Sequence, residues 1–353
     1  MKVGIVGCGS IAARYAHDIS AADGLELVAT TDVVPERAAE LAAQFGATAH
    51  ENLSALLADD RVELAVNLTG ATAHLEVTTA ALEAGKHVHS EKPLALRYAD
   101  ARGLVELAEE RGLLLSASPA TLLGEAQQTL WKLLREQAIG RVRVVYAEAN
   151  WGHIESWHPT PATIYAAGPA ADVGVYPLAI LTAIFGPARR VTAYGATVEP
   201  DRVDKHGVPF RIETPDLVVA AIELEDGVVV RLTASFYVGP GKQRGIELHG
   251  DDGMLHLAAW GEYDSRVQLS TTGNGDDYED VPFVRSPYPG IDWSRPLSEL
   301  AEAVRDGRRP RAGGAHAAHI VEILDAIDAS RLNGGAVEVR SSFPAPAPLE
   351  WAT

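Results

Sequence analysis

Gly7-Cys8-Gly9-Ser10-Ile11-Ala12 restricts what this chain can fold into more than any other stretch. It has the form G-x-G-x-x-A and lies between an apolar run at 3–6 and a helix-like stretch at 11–20. In such a motif the first glycine permits a tight turn and the second lets the backbone approach a pyrophosphate. The small third residue lets the helix pack closely on the strand. The helix N-terminus then presents N–H groups and a positive dipole end to phosphate. Gly7, Gly9, Ser10 and Ile11 are therefore expected to hold a dinucleotide, with Cys8 as a spacer. Asp32 closes the next apolar run, 25–31, roughly 20 residues on, where a carboxylate binds ribose hydroxyls and repels a 2′-phosphate. Val33 and Val34 follow it rather than an arginine, so NAD is the expected cofactor and NADP the alternative.

Strand and helix patterns alternate as far as residue 118. Apolar runs at 64–68, 87–90 and 113–117 are separated by helical patterns at 35–45, 53–57, 75–84 and 98–111. This alternation predicts a parallel sheet covered on both faces. Beyond Pro119 the pattern changes. A helix at 122–137 leads into strand-like runs at 142–151, 190–198, 217–224, 228–238, 245–248, 255–257 and 267–270. Asp226-Gly227 and Asp252-Gly253 are hairpin signals. Helices are expected at 297–305 and 316–332, and the Pro-rich 343–348 as a surface strap. The expected fold is α/β. A Rossmann doubly wound parallel sheet fills 1–118, and an α/β domain with a large, mostly antiparallel open sheet fills 119–353 and serves substrate binding and oligomerisation.

Composition narrows the partners. The chain has 353 residues, enough for roughly two domains, and 47% of them are hydrophobic. A net charge of −18 argues against nucleic acid and anionic membrane as partners. No apolar run approaches the roughly 18 residues of a membrane span, and the start carries no secretory leader pattern, so a cytoplasmic location is expected. A single cysteine excludes an internal disulfide framework and a cysteine-based metal site.

The second informative segment is Glu91-Lys92-Pro93, which follows Ala84-Gly85-Lys86-His87-Val88-His89-Ser90. A doubly wound sheet presents its chemistry at the C-terminal ends of its strands, which sets Lys92 beside the expected nicotinamide. Together with Asn67-Leu68-Thr69, His74 and the stretch 80–88, these residues closely resemble the Gfo/Idh/MocA family of oxidoreductases, over essentially the whole chain. The resemblance implies a Rossmann domain followed by an open-sheet α/β domain, and cofactor contacts from Thr69, His74, Glu91 and Lys92. It further implies a cis bond before Pro93 and a homodimer or homotetramer. The family's D-x-G-x-H signature reads here Asp172-Val173-Gly174-Val175-Tyr176. The tyrosine is similar to the branch of glucose–fructose oxidoreductase, dihydrodiol dehydrogenase and xylose dehydrogenase.

The resemblance implies Lys92, Tyr176 and Asp172 as the catalytic set. Oxidising an alcohol needs a base for the hydroxyl proton while hydride leaves carbon. A tyrosine ordinarily titrates near 10, and a neighbouring ammonium favours its phenolate. The implied reaction is hydride transfer between nicotinamide and a secondary alcohol or hemiacetal of a sugar or related polyol. An NAD-dependent glycoside hydrolase using transient oxidation and a non-catalytic dinucleotide sensor are the rivals. Trp151, His153, Trp157, His158 and Tyr165 crowd one stretch ahead of Asp172, where flat rings with polar edges suit a sugar. His87 with His89, and His316 with His319, lack the ligand set of a metal site, and no metal is expected.

Overall fold

The computed structural model describes residues 1–158, 160–239, 241–272 and 274–353. The chain divides into two compact units, Met1–Ala120 with Asp292–Val321, and Thr121–Ile291 with Glu322–Thr353.

The first unit opens with β1 (Lys2–Val6), α1 (Ala12–Ala21), β2 (Glu26–Thr31) and α2 (Pro35–Phe45). Pro35 starts α2 at its first turn, and Gly46, at φ 73°, ends it in the left-handed conformation that glycine takes freely. There follow β3 (Thr48–Ala49), α3 (Leu53–Leu57), β4 (Leu64–Asn67), α4 (His74–Glu83), β5 (His87–Ser90), α5 (Tyr98–Glu110) and β6 (Leu115–Ala117). The six strands run parallel in the order β3-β2-β1-β4-β5-β6, so the order reverses between β1 and β4. In such sheets ligands bind outside the carboxyl ends of the strands at that reversal. Two-residue β3 is exposed on both residues and too short to leave a periodic signal.

The second unit begins with α6 (Glu125–Arg135), β7 (Val142–Asn150) and α7 (Pro161–Ala167). A π-helical turn, Ala170–Gly174, runs directly into α8 (Val175–Phe185). Pro177 explains the wide turn: it lacks an N–H, and its ring crowds the carbonyl four residues back. Then come β8 (Ala188–Ala196), β9 (Asp201–Val203), β10 (Pro209–Arg211), β11 (Leu217–Leu224), β12 (Val229–Ser235), β13 (Gly245–Gly250), β14 (Gly253–Leu257), β15 (Val267–Ser270) and β16 (Glu279–Asp280). After α9 (Arg295–Asp306) and α10 (Gly314–Asn333), β17 (Val337–Glu338) completes a nine-stranded sheet, β16-β15-β14-β13-β7-β12-β11-β8-β17. Among the described residues only the β7–β12 pair of this sheet is parallel.

Strand alternation gives this sheet two different faces. Val218, Ala220, Ile222, Leu232 and Ala234 are buried on one. The other carries the row Tyr194, Val219, Thr233 and Glu148, aligned by register across β8, β11, β12 and β7. Asp226-Gly227 makes the expected hairpin turn, with Leu224 N donating to Val228 O at 2.9 Å. The β13–β14 hairpin differs by one residue. Its turn is Asp251-Asp252, and Gly253 already pairs with Gly250 in the ladder. Gly253 is needed there for close approach, since a Cβ on it would lie 2.4 Å from Ser270 O.

Asp292–Val321 packs with the first unit for an apolar reason. Leu297 and Leu300 of α9, both fully buried, join Val3, Ile5, Tyr15, Ile19 and Leu64 in one cluster. Among the described residues no single helix is long and apolar enough to cross a membrane.

Candidate active site

The glycine loop is shaped by its neighbours. Gly7 adopts φ 92°, and a Cβ there would lie 2.8 Å from Leu68 C and Thr69 N. Only glycine tolerates both the dihedral and the approach. Gly9 has nothing within 4 Å of where its Cβ would stand, and Gly9 and Ser10 are exposed. This open cradle at the head of α1 fits a pyrophosphate. At the end of β2, Asp32 Oδ2 accepts from Cys8 N at 2.6 Å and Oδ1 from Val34 N at 2.8 Å. The carboxylate thus ties the tip of β2 to the glycine loop. Val33, which follows, is 99% exposed. Burial, and then Asp32, push the Cys8 thiol up to about 12, which leaves it an inert spacer.

Asn67, buried at the end of β4, organises the next loop. Its amide donates to His74 O at 3.2 Å and Thr78 Oγ1 at 3.1 Å, while its Oδ1 accepts from Thr69 N and Oγ1. Thr69 thereby lies against the glycine turn. His74, 1% exposed, places Nδ1 2.7 Å from Pro93 O and Nε2 3.0 Å from Thr69 O. It clamps the two loops together, so its reach toward a cofactor runs through their backbones.

The Lys92 loop is built on a buried polar cluster. Lys92-Pro93 is cis, as the resemblance implied, and Ser118-Pro119 is cis as well. Glu91 turns inward. Its Oε1 accepts from Tyr15 OH at 2.8 Å and Ser118 Oγ at 3.1 Å, and its Oε2 accepts from Lys92 N at 3.1 Å. His89 lies beneath, with Nδ1 2.8 Å from Ser116 Oγ. Burial pushes the His89 imidazole down to about 4, and burial likewise pushes His316, in α10, down to about 3.

These two histidines set an acid limit on the fold. Each is neutral when folded and takes a proton near pH 6.5 when unfolded. Their stabilisation is therefore complete above about pH 6.5 and is lost as pH falls toward 4. The loss is on the order of 3 kcal/mol for His89 alone at pH 4. Thermal midpoints measured from pH 7 to pH 4 should fall steadily, and His89→Gln should flatten the slope. An unchanged slope in that variant would refute the assignment.

In the second unit, Asp172 lies in the π-helical turn and Tyr176 in the first turn of α8, both partly exposed. The four-residue spacing thus spans a junction of two helix types rather than one α-helical face. Gly174 seats this junction on the sheet, 3.5 Å from the Ala234 side chain at its Cβ position. The Tyr176 ring packs on Trp260 at 4.7 Å between centroids. From Trp260 the rings continue to Trp151 at 5.6 Å, then Trp157 at 6.2 Å, then His158 at 5.4 Å. Trp151 is 41% and Trp157 51% exposed. His158 Nδ1 accepts from Thr160 N at 3.1 Å.

The other members of that stretch lie elsewhere. His153 stacks on Tyr237 at 5.5 Å and sits 2.7 Å from Arg202 Nη1. Tyr165 is a core residue, 2% exposed, packed between Phe210 and Phe236 with its hydroxyl donating to Glu155. Burial first, then that bond, push its phenol up. Arg202, buried, pairs with Glu155 at 2.9 Å and Asp216 at 2.6 Å, and holds the segment in place.

Sequence reading missed Trp260 and the Tyr15–His89–Ser118 cluster. Trp260 stands in a loop without periodicity. Tyr15 shares the core spacing of Ala12, Ala16 and Ile19 on α1, so it reads as packing. Among the described residues no group of three or more His, Cys, Asp or Glu could hold a metal.

Comparisons with known proteins agree along most of the chain. Residues 1–118 match the family model described as an oxidoreductase family with NAD-binding Rossmann fold, and 127–256 match the GFO/IDH/MocA C-terminal domain. A dTDP-3,4-didehydro-2,6-dideoxy-alpha-D-glucose 3-reductase of Streptomyces violaceoruber is 31% identical over 258 residues, covering 73% of this chain and 72% of that protein. The D-apiose dehydrogenase of Paraburkholderia graminis is 23% identical and covers 100% of this chain and 93% of its own. The WlbA dehydrogenase from Bordetella pertussis, solved with NADH and UDP-GlcNAcA, shares the fold at a TM-score of 0.79. It is 22% identical and covers 96% of this chain and 98% of its own. The chain belongs to the Gfo/Idh/MocA family of oxidoreductases, and its parallel-sheet unit is that family's NAD-binding Rossmann domain.

Proposed function

We propose that the protein is an NAD-dependent dehydrogenase or reductase acting on a secondary alcohol or hemiacetal of a sugar or related polyol. The observation that carries this reading is an intact reactive set in a chain of this family. Lys92 stands at the carboxyl end of a strand in the NAD-binding sheet, and Tyr176 heads α8 beside Trp260. Two relatives named for sugars, the dideoxyglucose 3-reductase and the D-apiose dehydrogenase, support the substrate class.

When bound, the nicotinamide supplies the hydride acceptor or donor. The chain's own residues handle the proton and the orientation. Lys92 hydrogen-bonds the substrate oxygen, and its ammonium favours the phenolate of Tyr176. Tyr176 takes the hydroxyl proton on oxidation and returns it to the developing alkoxide on reduction. Asp172 orients a neighbouring hydroxyl or the lysine. Gly7, Gly9, Ser10 and Ile11 hold the pyrophosphate and Asp32 the ribose, with Thr69 beside them. Trp151 and Trp157 offer the sugar ring faces, with His158 beside Trp157. The open sheet face, where Tyr194 is 66% exposed, pairs with a second copy to give a homodimer or homotetramer, which light scattering reads directly.

A panel of aldoses, ketoses and polyols with NAD and NADP tests the reading. NADH should form stoichiometrically with at least one sugar, with NAD preferred over NADP. Trp151→Ala should raise KM for that sugar about 10-fold, the scale of one lost stacking contact, with kcat less affected. Absence of NADH formation across the panel, with NAD still bound, would overturn it.

A further inference from the structure

The polar cluster beneath the Lys92 loop has no role in the reaction described above, yet it is maintained at a cost. Tyr15 is fully buried on the core face of α1, packed 5.3 Å from the Trp293 ring, where phenylalanine would fill the same space. A buried hydroxyl is unfavourable unless bonded. This one donates to Glu91 Oε1 at 2.8 Å and lies 3.3 Å from Ser118 Oγ and 3.4 Å from His89 Nε2.

We propose that Tyr15 is a positioning residue for Lys92, acting through Glu91. The inference rests on the reading of Lys92 as a catalytic residue. Glu91 accepts on both oxygens, from Tyr15 and Ser118 on one side and from the Lys92 backbone N–H on the other. The first pair sets where the carboxylate lies, and the carboxylate sets where the Lys92 backbone lies. His89, with its Nδ1 engaged by Ser116 Oγ, supports the hydroxyls from below as a neutral ring. Tyr15 belongs to the helix that opens at the glycine loop. The cluster therefore joins the cofactor loop and the lysine loop into one rigid piece, through contacts 76 and 103 residues apart in sequence. A misplacement of about 1 Å at a reacting group costs roughly 100-fold in rate, so this linkage bears on turnover.

The experiment is a double-mutant cycle in the full-length protein with the sugar found by the panel. Tyr15→Phe should lower kcat about 10- to 100-fold, with NADH affinity within about 2-fold and the thermal midpoint little changed. In the Lys92→Ala background the same change should cost nothing further, because its effect passes through the lysine. Ser118→Ala, which removes the other donor to the same oxygen, should show a smaller loss with the same non-additivity, and it decides the matter if Tyr15→Phe fails to fold. Wild-type kcat in both variants, or an equal further loss in the Lys92→Ala background, would overturn the proposal while leaving the role of Lys92 intact. Near-normal turnover in Lys92→Ala alone would overturn the reading on which it rests.

Discussion

Lys92→Ala is expected to reduce kcat by roughly 1,000-fold, within the range for a positioned proton-handling group, while NAD binding stays measurable. The loop is held by its backbone and by its neighbours: Glu91 Oε2 accepts the Lys92 backbone N–H, and His74 lies against Pro93 O. Alanine keeps that N–H, so removing the ammonium leaves the cradle in place. The glycine loop is shaped by the close approach of Gly7 to Thr69 and by the bond from Cys8 N to Asp32. Steady-state kinetics with the preferred sugar, and NADH fluorescence for binding, separate the two effects. A variant with near-normal kcat would remove Lys92 from the chemistry. Equal losses of kcat and of NADH affinity would make it a cofactor ligand only.

Tyr176→Phe is the second large effect, a fall in kcat of about 100- to 1,000-fold. The substitution deletes one oxygen. The ring keeps its packing on Trp260, 4.7 Å away, and Val175 and Pro177 on either side remain buried. Under the proposed role, in which the hydroxyl acts on the transferring proton, KM should change less than kcat. Retention of full activity would refute the tyrosine's role and shift attention to Asp172. A loss of folding rather than of rate would make it a packing residue of α8.

Much of the parallel-sheet unit was legible because its signals are local. Apolar strands, a glycine turn at the right spacing and helices with recognisable starts and stops all lie within a few residues of the elements they specify. The nine-stranded sheet was legible for the same reason, from alternation and turn chemistry. Its errors were local too. Asp252-Gly253 resembles a turn, but ladder pairing assigns Gly253 to a strand that tolerates no Cβ. Asp172 and Tyr176 stand four residues apart, the spacing of one α-helical face. Pro177 converts the preceding turn to π geometry, which a periodicity argument cannot register.

The motifs that carry the proposed reactive residues were legible, and the residues packed around them were not. Lys92, Asp172, Tyr176 and the glycines stand in motifs. Trp260 and Tyr15 carry no motif and reach their partners only when distant segments meet. Tyr165 shows the converse: an aromatic in the right stretch, withdrawn into the core by its bond to Glu155.

By itself the sequence determined the two sheet types, the NAD-binding loop and the identity of the family, because periodicity, turn residues and a contiguous motif are short-range properties. Only the tertiary structure decided that Asp292–Val321 packs with the parallel sheet, that Glu91 faces inward to Tyr15, and that Tyr176 begins a line of tryptophans. Those contacts join segments tens to hundreds of residues apart. Their energy comes from burial and hydrogen bonding that exist only once the chain has closed those distances.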